Sequence, residues 1–279
     1  MKSLSYIFAL LLIVLYSCKE EDHPYVGYIV IDRAVVEAAG GSATMTAQTD
    51  LSDPIQLEVD QFGAEWCSVS VNGKQITVTA TEANPSSEEF RTATVNVRCG
   101  TRVTTFTVLQ KHIGQEYLEF DWSKFSATGS DVQAGDGGGY PSLFKEDRTN
   151  FWHSQYSPAT PNPHWLLIDM QKELPVSMVR IARRYYAANG NNYPTVKTME
   201  VYAGINKDDL TLVGGFTFAL PWTAPDGTIV NGNSPKVPPY EDVIFNVPVT
   251  ARYVKLIITE TNNTTGVCQV AYFKAFEKI

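Results

Sequence analysis

The chain has 279 residues, with 22 lysines and arginines against 30 aspartates and glutamates, a formal net charge of −8. That balance argues against a phosphate-backbone binder, which displaces counterions with basic side chains, and against a hold on anionic membranes through charge alone. Hydrophobic residues are 44% and charged residues 19%, a composition that folds rather than stays disordered, at a length that accommodates one or two domains.

Lys2 gives a positive start, and Tyr6 to Tyr16 is an apolar run of roughly ten residues, half the ~20 that a spanning helix needs. It reads as a secretory signal. The junction "LYSC", Leu15 to Cys18, resembles the lipobox of bacterial lipoproteins. The resemblance implies cleavage before Cys18 and a lipid on its thiol, each buried methylene contributing ~0.8 kcal/mol and two or more acyl chains anchoring stably. "KEED", Lys19 to Asp22, resembles the acidic export tag of many Bacteroidetes surface lipoproteins. Residues 1–17 are then a lipoprotein signal peptide and residues 18–29 a lipidated tether. The expected location is the outer membrane, facing outward, with the glycan-uptake machinery as a neighbour. A plain cleaved signal with a chance cysteine is the alternative.

Beyond the tether, helical periodicity is nearly absent. "ITVTA" (Ile76 to Ala80), "TATVNV" (Thr92 to Val97) and "TTFTVLQ" (Thr104 to Gln110) alternate apolar and polar residues; "MEVYAG" and "YVKLIIT" do so later. Such runs, bounded by Gly, Asn, Pro and Asp, are half-buried antiparallel strands, and many of them at short spacing make β-sandwiches. Residues up to Lys111 are rich in threonine and valine. After "HIGQEYLEF" aromatics crowd in, with Trp122, Trp152, Trp165 and Trp222 among the five tryptophans. The expected fold is all-β: one β-sandwich over 30–111, a linker over 112–116 and a second β-sandwich over 117–279. Cys67, Cys99 and Cys268 lack CxxC spacing; a Cys67–Cys99 pair and three buried thiols both stay open.

In the first piece, Gly40-Gly41 permits positive φ and Asn72-Gly73 reads as a type I′ hairpin turn. The Gly-Gly opening, Trp66, the Asn84-Pro85-Ser86 loop, the "RTATV" strand from Arg91 and the closing Gln110 resemble, in order, the BACON domain of Bacteroidetes surface proteins. The resemblance implies an immunoglobulin-like sandwich acting as a spacer, with Trp66 in its core.

In the second piece, "YPSLFKEDRTNFWHSQYS", "HWLLIDM", "MVRIARR", "ARYVKLIITE" and "VAYFKAFE" resemble, in order, the discoidin or coagulation factor type C domains, which include the family 32 carbohydrate-binding modules. The resemblance implies a jelly-roll sandwich with ligand loops at one end and Trp152 as a plug of that end. It also implies a structural calcium, which takes about six to eight oxygens. Here Lys145 and Glu146 stand where the family has Asp-Gly, Asn150 stands for its threonine, and Tyr272 for a late glutamate. The calcium site is expected to be lost or rebuilt, with Lys145 replacing the cation's charge, so no metal ligands and no cofactor are assigned.

A sugar site needs an aromatic platform beside convergent polar groups. "RRYYAANGNNYPT" supplies Arg183, Arg184, Tyr185, Tyr186, Asn189, Asn191, Asn192 and Tyr193; "LPWTAPDGTIVNGNSPKVPPY" supplies Trp222 and Tyr240; "TETNNTTG" supplies Asn262 and Asn263. Trp222 is the leading aromatic candidate, since long loops of this kind are often functional, and His153 beside the plug is another. Competing readings pair Arg183 or Arg184 with Asp169, and send Tyr185 and Tyr186 to opposite faces with one in the core. No HExxH pair, nucleophile elbow or phosphate loop occurs; "GDGGGYP" lacks the Gly-Lys-Ser/Thr ending. The expectation is a non-catalytic, lipid-anchored glycan-binding protein, with a structural or protein-interaction subunit as the alternative.

Overall fold

The computed structural model describes residues 25–186 and 190–279. The signal peptide, Cys18, the "KEED" tag and Asn189 lie outside the described residues. The chain forms two compact units that divide between Gly114 and Gln115, and both are β-sandwiches.

In the first unit, a sheet of Ala34–Val36, Arg102–Gln110, Arg91–Cys99 and Ile55–Val59 faces a sheet of Gly41–Thr46, Gln75–Ala80 and Cys67–Asn72. Alternation does the work expected of it. Val95, Val97 and Val108 on one sheet and Ile76 and Val78 on the other are essentially inaccessible, while the intervening threonines point outward. Cys67 and Cys99 are buried free thiols, so the pairing left open by the sequence does not form. The hairpin differs from expectation by one residue. Asn72 pairs with Gln75, leaving Gly73-Lys74 as the turn. Positive φ falls on Gly73, at 60°, the pattern of a type II′ turn with glycine first. The end of the expected tether is docked on this unit: Tyr25 donates to Asp50, Tyr28 N–H donates to the same carboxylate at 2.9 Å, and Ile29–Val30 pairs with Gln48–Thr49.

One polar network closes this sandwich. Gln110 is wholly buried. Its amide donates to the carbonyls of Glu82 (2.9 Å), Glu37 and Ala38 (both 3.3 Å), and its oxygen accepts from Arg91 Nε at 2.8 Å. Arg91 in turn stacks 4.5 Å from the centroid of Trp66. Asn84 ties its loop down through the carbonyls of Glu89 and Lys111. The motif residues of the first piece therefore meet at one end and satisfy each other's polar groups.

In the second unit the sheet order is Tyr117–Glu119, Phe273–Lys278, His164–Ala182, Tyr240–Thr261, Val196–Asn206, Asp209–Thr217, with Ser126–Gly129 pairing to the start of His164–Ala182. The two longest strands run through both layers. His164–Ala182 shifts register after Asp169 and again after Val176, and Gln171 there takes a φ of 66°. These irregularities bend the sheet so that it folds over its own core. Leu166, Ile168, Val254, Leu256 and Ile258 have no exposure, whereas Trp165, Leu167, Tyr253, Lys255 and Ile257 are half-covered. Trp152 is also fully buried and donates Nε1–H to the Asp131 carbonyl at 3.0 Å. Gly137 must be glycine, because a Cβ there would lie 2.4 Å from the Phe151 carbonyl oxygen.

Replacing Gln110 by alanine removes four side-chain bonds from the buried end of the sandwich and leaves Arg91 Nε without its acceptor. The Gln110→Ala variant is expected to lose ~2–4 kcal/mol in urea unfolding followed on the first unit. A loss below ~0.5 kcal/mol, the size of an ordinary surface change, would contradict this role.

Candidate functional site

Three segments of the second unit converge: residues 183–186 with 190–195, residues 218–239 and residues 262–268. The side chain of Asn262 joins them. Its Nδ2 donates to the carbonyls of Phe218 (2.8 Å), Pro194 (2.9 Å) and Val196 (3.3 Å), and its Oδ1 accepts from Leu220 N–H at 3.1 Å. Its backbone N–H bonds the Thr195 carbonyl at 2.7 Å. Asn263 is spent within its own loop, donating to the Val267 carbonyl and accepting from the hydroxyls of Thr261 and Thr265. Below them, His164 has no exposure and sits between Asp131 Oδ2 at 2.8 Å and the Gly266 carbonyl at 2.9 Å. Burial alone would raise the Asp131 carboxyl, but bonds from Ser130, His164 and the Gln155 N–H outweigh it and hold the group below its ordinary value.

The long 218–239 loop has its own small core. Phe218, Val230 and Val237 are buried, with Leu220 and Trp222 packed on them. A short hairpin pairs Trp222 with Val230, and the Trp222 and Phe218 rings are 5.4 Å apart. Asn192 fastens this loop to the next, donating to the Val237 carbonyl and accepting from Arg148.

Between these loops lies an open groove of about 170 Å³. Tyr193, Leu220, Asn231, Asn233 and the Asn262–Asn263 pair line it. Asn262 and Asn263 have their amides committed. Asn231 and Asn233 lack a side-chain hydrogen bond among the described residues, so their carboxamides face outward. The groove thus offers a flat ring, an apolar contact and free bidentate amides. Asn231 and Asn233 were not singled out from the sequence, because asparagine beside Gly232 reads equally well as turn chemistry.

The structure sorts the residues expected at the site. Tyr193 lines the groove, and Tyr186 packs on it at 6.0 Å between ring centroids. Tyr185 is 36% exposed, so neither adjacent tyrosine enters the core, contrary to the strict alternation expected of a continuing strand. Trp222 does not line the groove; its ring is half-buried on Phe218 and serves the loop's own core. Arg183 is buried, donates to Glu241 and stacks 4.1 Å from the Phe218 centroid. Asn192 is buried in the loop junction. His153 is buried too, with Nδ1 on the Ser154 carbonyl at 2.7 Å, and burial pulls its imidazole below the ordinary value. These buried side chains shape the loops rather than present themselves to a ligand. Asp169 is paired by Arg252, through two bonds of 2.9 Å, and by neither Arg183 nor Arg184. Arg184 sits in a cage of rings, 4.0 Å from Phe151, 5.1 Å from Tyr186 and 5.8 Å from Tyr193.

In the segment 145–150, where the resemblance puts the family's calcium loop, the side chains are engaged otherwise. Asp147 is turned onto Thr149 and Asn150, and Lys145 is exposed. The ammonium beside Glu146 comes from Lys274, which is 6% exposed and bonds Glu146 at 2.8 Å and Glu119 at 3.0 Å. Among the described residues no group of three or more His, Cys, Asp or Glu is placed to hold a metal ion.

Asn262→Ala removes four side-chain bonds that tie the loops together. It is expected to cost ~2–4 kcal/mol in denaturant unfolding and to increase hydrogen exchange at Leu220 and Thr195; unchanged exchange there would contradict the role of this side chain.

The family model for the F5/8 type C domain matches residues 124–273, and the BACON model, that of an N-terminal binding domain, matches residues 56–111. No curated protein matches the chain. Among solved structures, the chain is similar to the family 32 carbohydrate-binding module of Clostridium perfringens NanJ in complex with galactose, at 20% identity over 58% of this chain and 99% of that one, with a TM-score of 0.44. A family 32 module from the same organism in complex with GalNAc-β-1,3-galactose aligns at 14% identity over 57% and 100%, with a TM-score of 0.45. The C-terminal domain of a chitobiase from Bacteroides fragilis aligns at 17% identity over 58% and 99%, with a TM-score of 0.44. The match across 124–273 covers more than half of the 279 residues, and the chain belongs to the F5/8 type C domain family.

Proposed function

We propose that this chain is a non-catalytic glycan-binding protein whose second unit holds a saccharide in the groove between Tyr193 and the Asn231–Asn233 segment. The observation that carries this reading is the pair of uncommitted carboxamides set opposite a tyrosine ring on loops held by internal bonds. A pyranose has an apolar face for a ring and vicinal hydroxyls for bidentate amides. The loops are fastened before ligand arrives, so little ordering entropy is lost on binding. The first unit acts as a spacer, and Cys18 carries the lipid that anchors the protein in the outer membrane with its modules facing outward. Single grooves of this size bind weakly, and many copies in one membrane supply avidity. The buried Lys274 ammonium takes the place of calcium in stabilising the loop before Trp152.

A glycan array with the whole chain, followed by calorimetry on the best ligand, tests the groove. The double variant Asn231→Ala/Asn233→Ala touches exposed amides and should leave stability within ~0.5 kcal/mol, while weakening binding about tenfold or more. Absence of any glycan binding at high protein density, or equal binding by the variant, would contradict the reading. Millimolar calcium is expected to leave the Tm within about 1 °C, since a ligand stabilises only a fold that holds it; a rise of several degrees would show that a metal site survives.

A further inference from the structure

The guanidinium of Arg184 is placed as a cation without an anion. Rings of Phe151, Tyr186 and Tyr193 surround it, its Nε is buried without a hydrogen-bond partner, and no carboxylate pairs with it among the described residues. Its neighbours do not supply one. Arg148 spends Nε on the Arg183 carbonyl and Nη2 on the Asn192 amide. Glu241 is committed to Arg183, and Glu146 to Lys274. Three arginines therefore share one acidic partner, an excess of positive charge in a chain whose net charge is −8. A half-buried guanidinium left in this state is costly unless an anion completes it. Tyr193 both borders the cage and lines the groove, so the cage and the groove share a residue.

We infer that the saccharide taken by this groove carries an acidic group, a carboxylate or a sulfate, that pairs with Arg184. The inference rests on the glycan reading above and narrows it to a charged class. The planar fork of arginine suits both oxyanions, since each presents two oxygens at the spacing of its N–H groups. The surrounding rings keep the guanidinium oriented and partly shielded, which makes the ion pair stronger than one on an open surface.

Matched saccharides test it. The whole chain is titrated at low salt with an oligogalacturonide and its carboxyl-reduced form, and with a sulfated galactan oligosaccharide and its desulfated form. At least one charged member should bind about tenfold more tightly than its neutral partner, and the pair showing the preference tells carboxylate from sulfate. The advantage should shrink in ~0.5 M salt. Arg184→Gln should bring the charged member to the neutral member's affinity, while Arg184→Lys, which keeps the charge but not the fork, should retain part of the preference. If neutral members bind as tightly as their charged partners, or if an array finds only neutral ligands, the acidic preference is overturned and the glycan reading stands. A charged preference that Arg184→Gln leaves intact overturns the assignment to Arg184. Binding of no saccharide of any kind overturns the glycan reading itself. The wild-type comparison decides the preference even if the glutamine variant fails to fold.

Discussion

The carboxamide of Asn262 sits where three loops meet, and its bonds to Phe218, Pro194, Val196 and Leu220 set the distance between the groove's walls. These loops have only short ladders of two or three pairs, so the backbone groups outside them must be satisfied singly. A side chain with two donors and two lone pairs does this where a strand cannot pass. Once the carbonyls of two loops and an N–H of one of them are bound to one amide, the Tyr193 ring and the outward-facing amides of Asn231 and Asn233 are held apart at a fixed spacing. The small core of Phe218, Val230 and Val237 keeps the long loop rigid beyond its reach.

The first unit uses the same device for a different end. Gln110 and Asn84 are buried amides that close the end of a sandwich by bonding the carbonyls of its loops. There the amides are fully spent, and the Trp66 ring is covered by Arg91. In the second unit a surplus remains, with two amides and one caged guanidinium left uncommitted. The difference between a structural network and a binding rim is this remainder of unsatisfied polar groups next to an aromatic surface.

The strands were legible because period-two alternation has one physical cause, burial of every second residue. Val254, Leu256 and Ile258 show it in the structure as plainly as in the sequence. The site was legible only as a set of loops. Residue type singled out Tyr193, which lines the groove, and Arg184, which stacks near it, but it could not separate asparagines that build loops from those that face outward. Asn192 and Asn262 build; Asn231 and Asn233 face out; their local sequences are alike. Trp222 was favoured because it stands in a long loop, and a long loop equally needs an aromatic for a core of its own. Lys274 lies more than a hundred residues from Glu146, and only the pairing of the last strand with its neighbours brings the ammonium to that carboxylate.

The most direct measurement is a crystal structure of the whole chain with a saccharide bound. The account predicts a pyranose stacked on Tyr193 with hydroxyls on the carboxamides of Asn231 and Asn233. A saccharide seated elsewhere, on the sheet faces or on the first unit, with this groove left open, would contradict it.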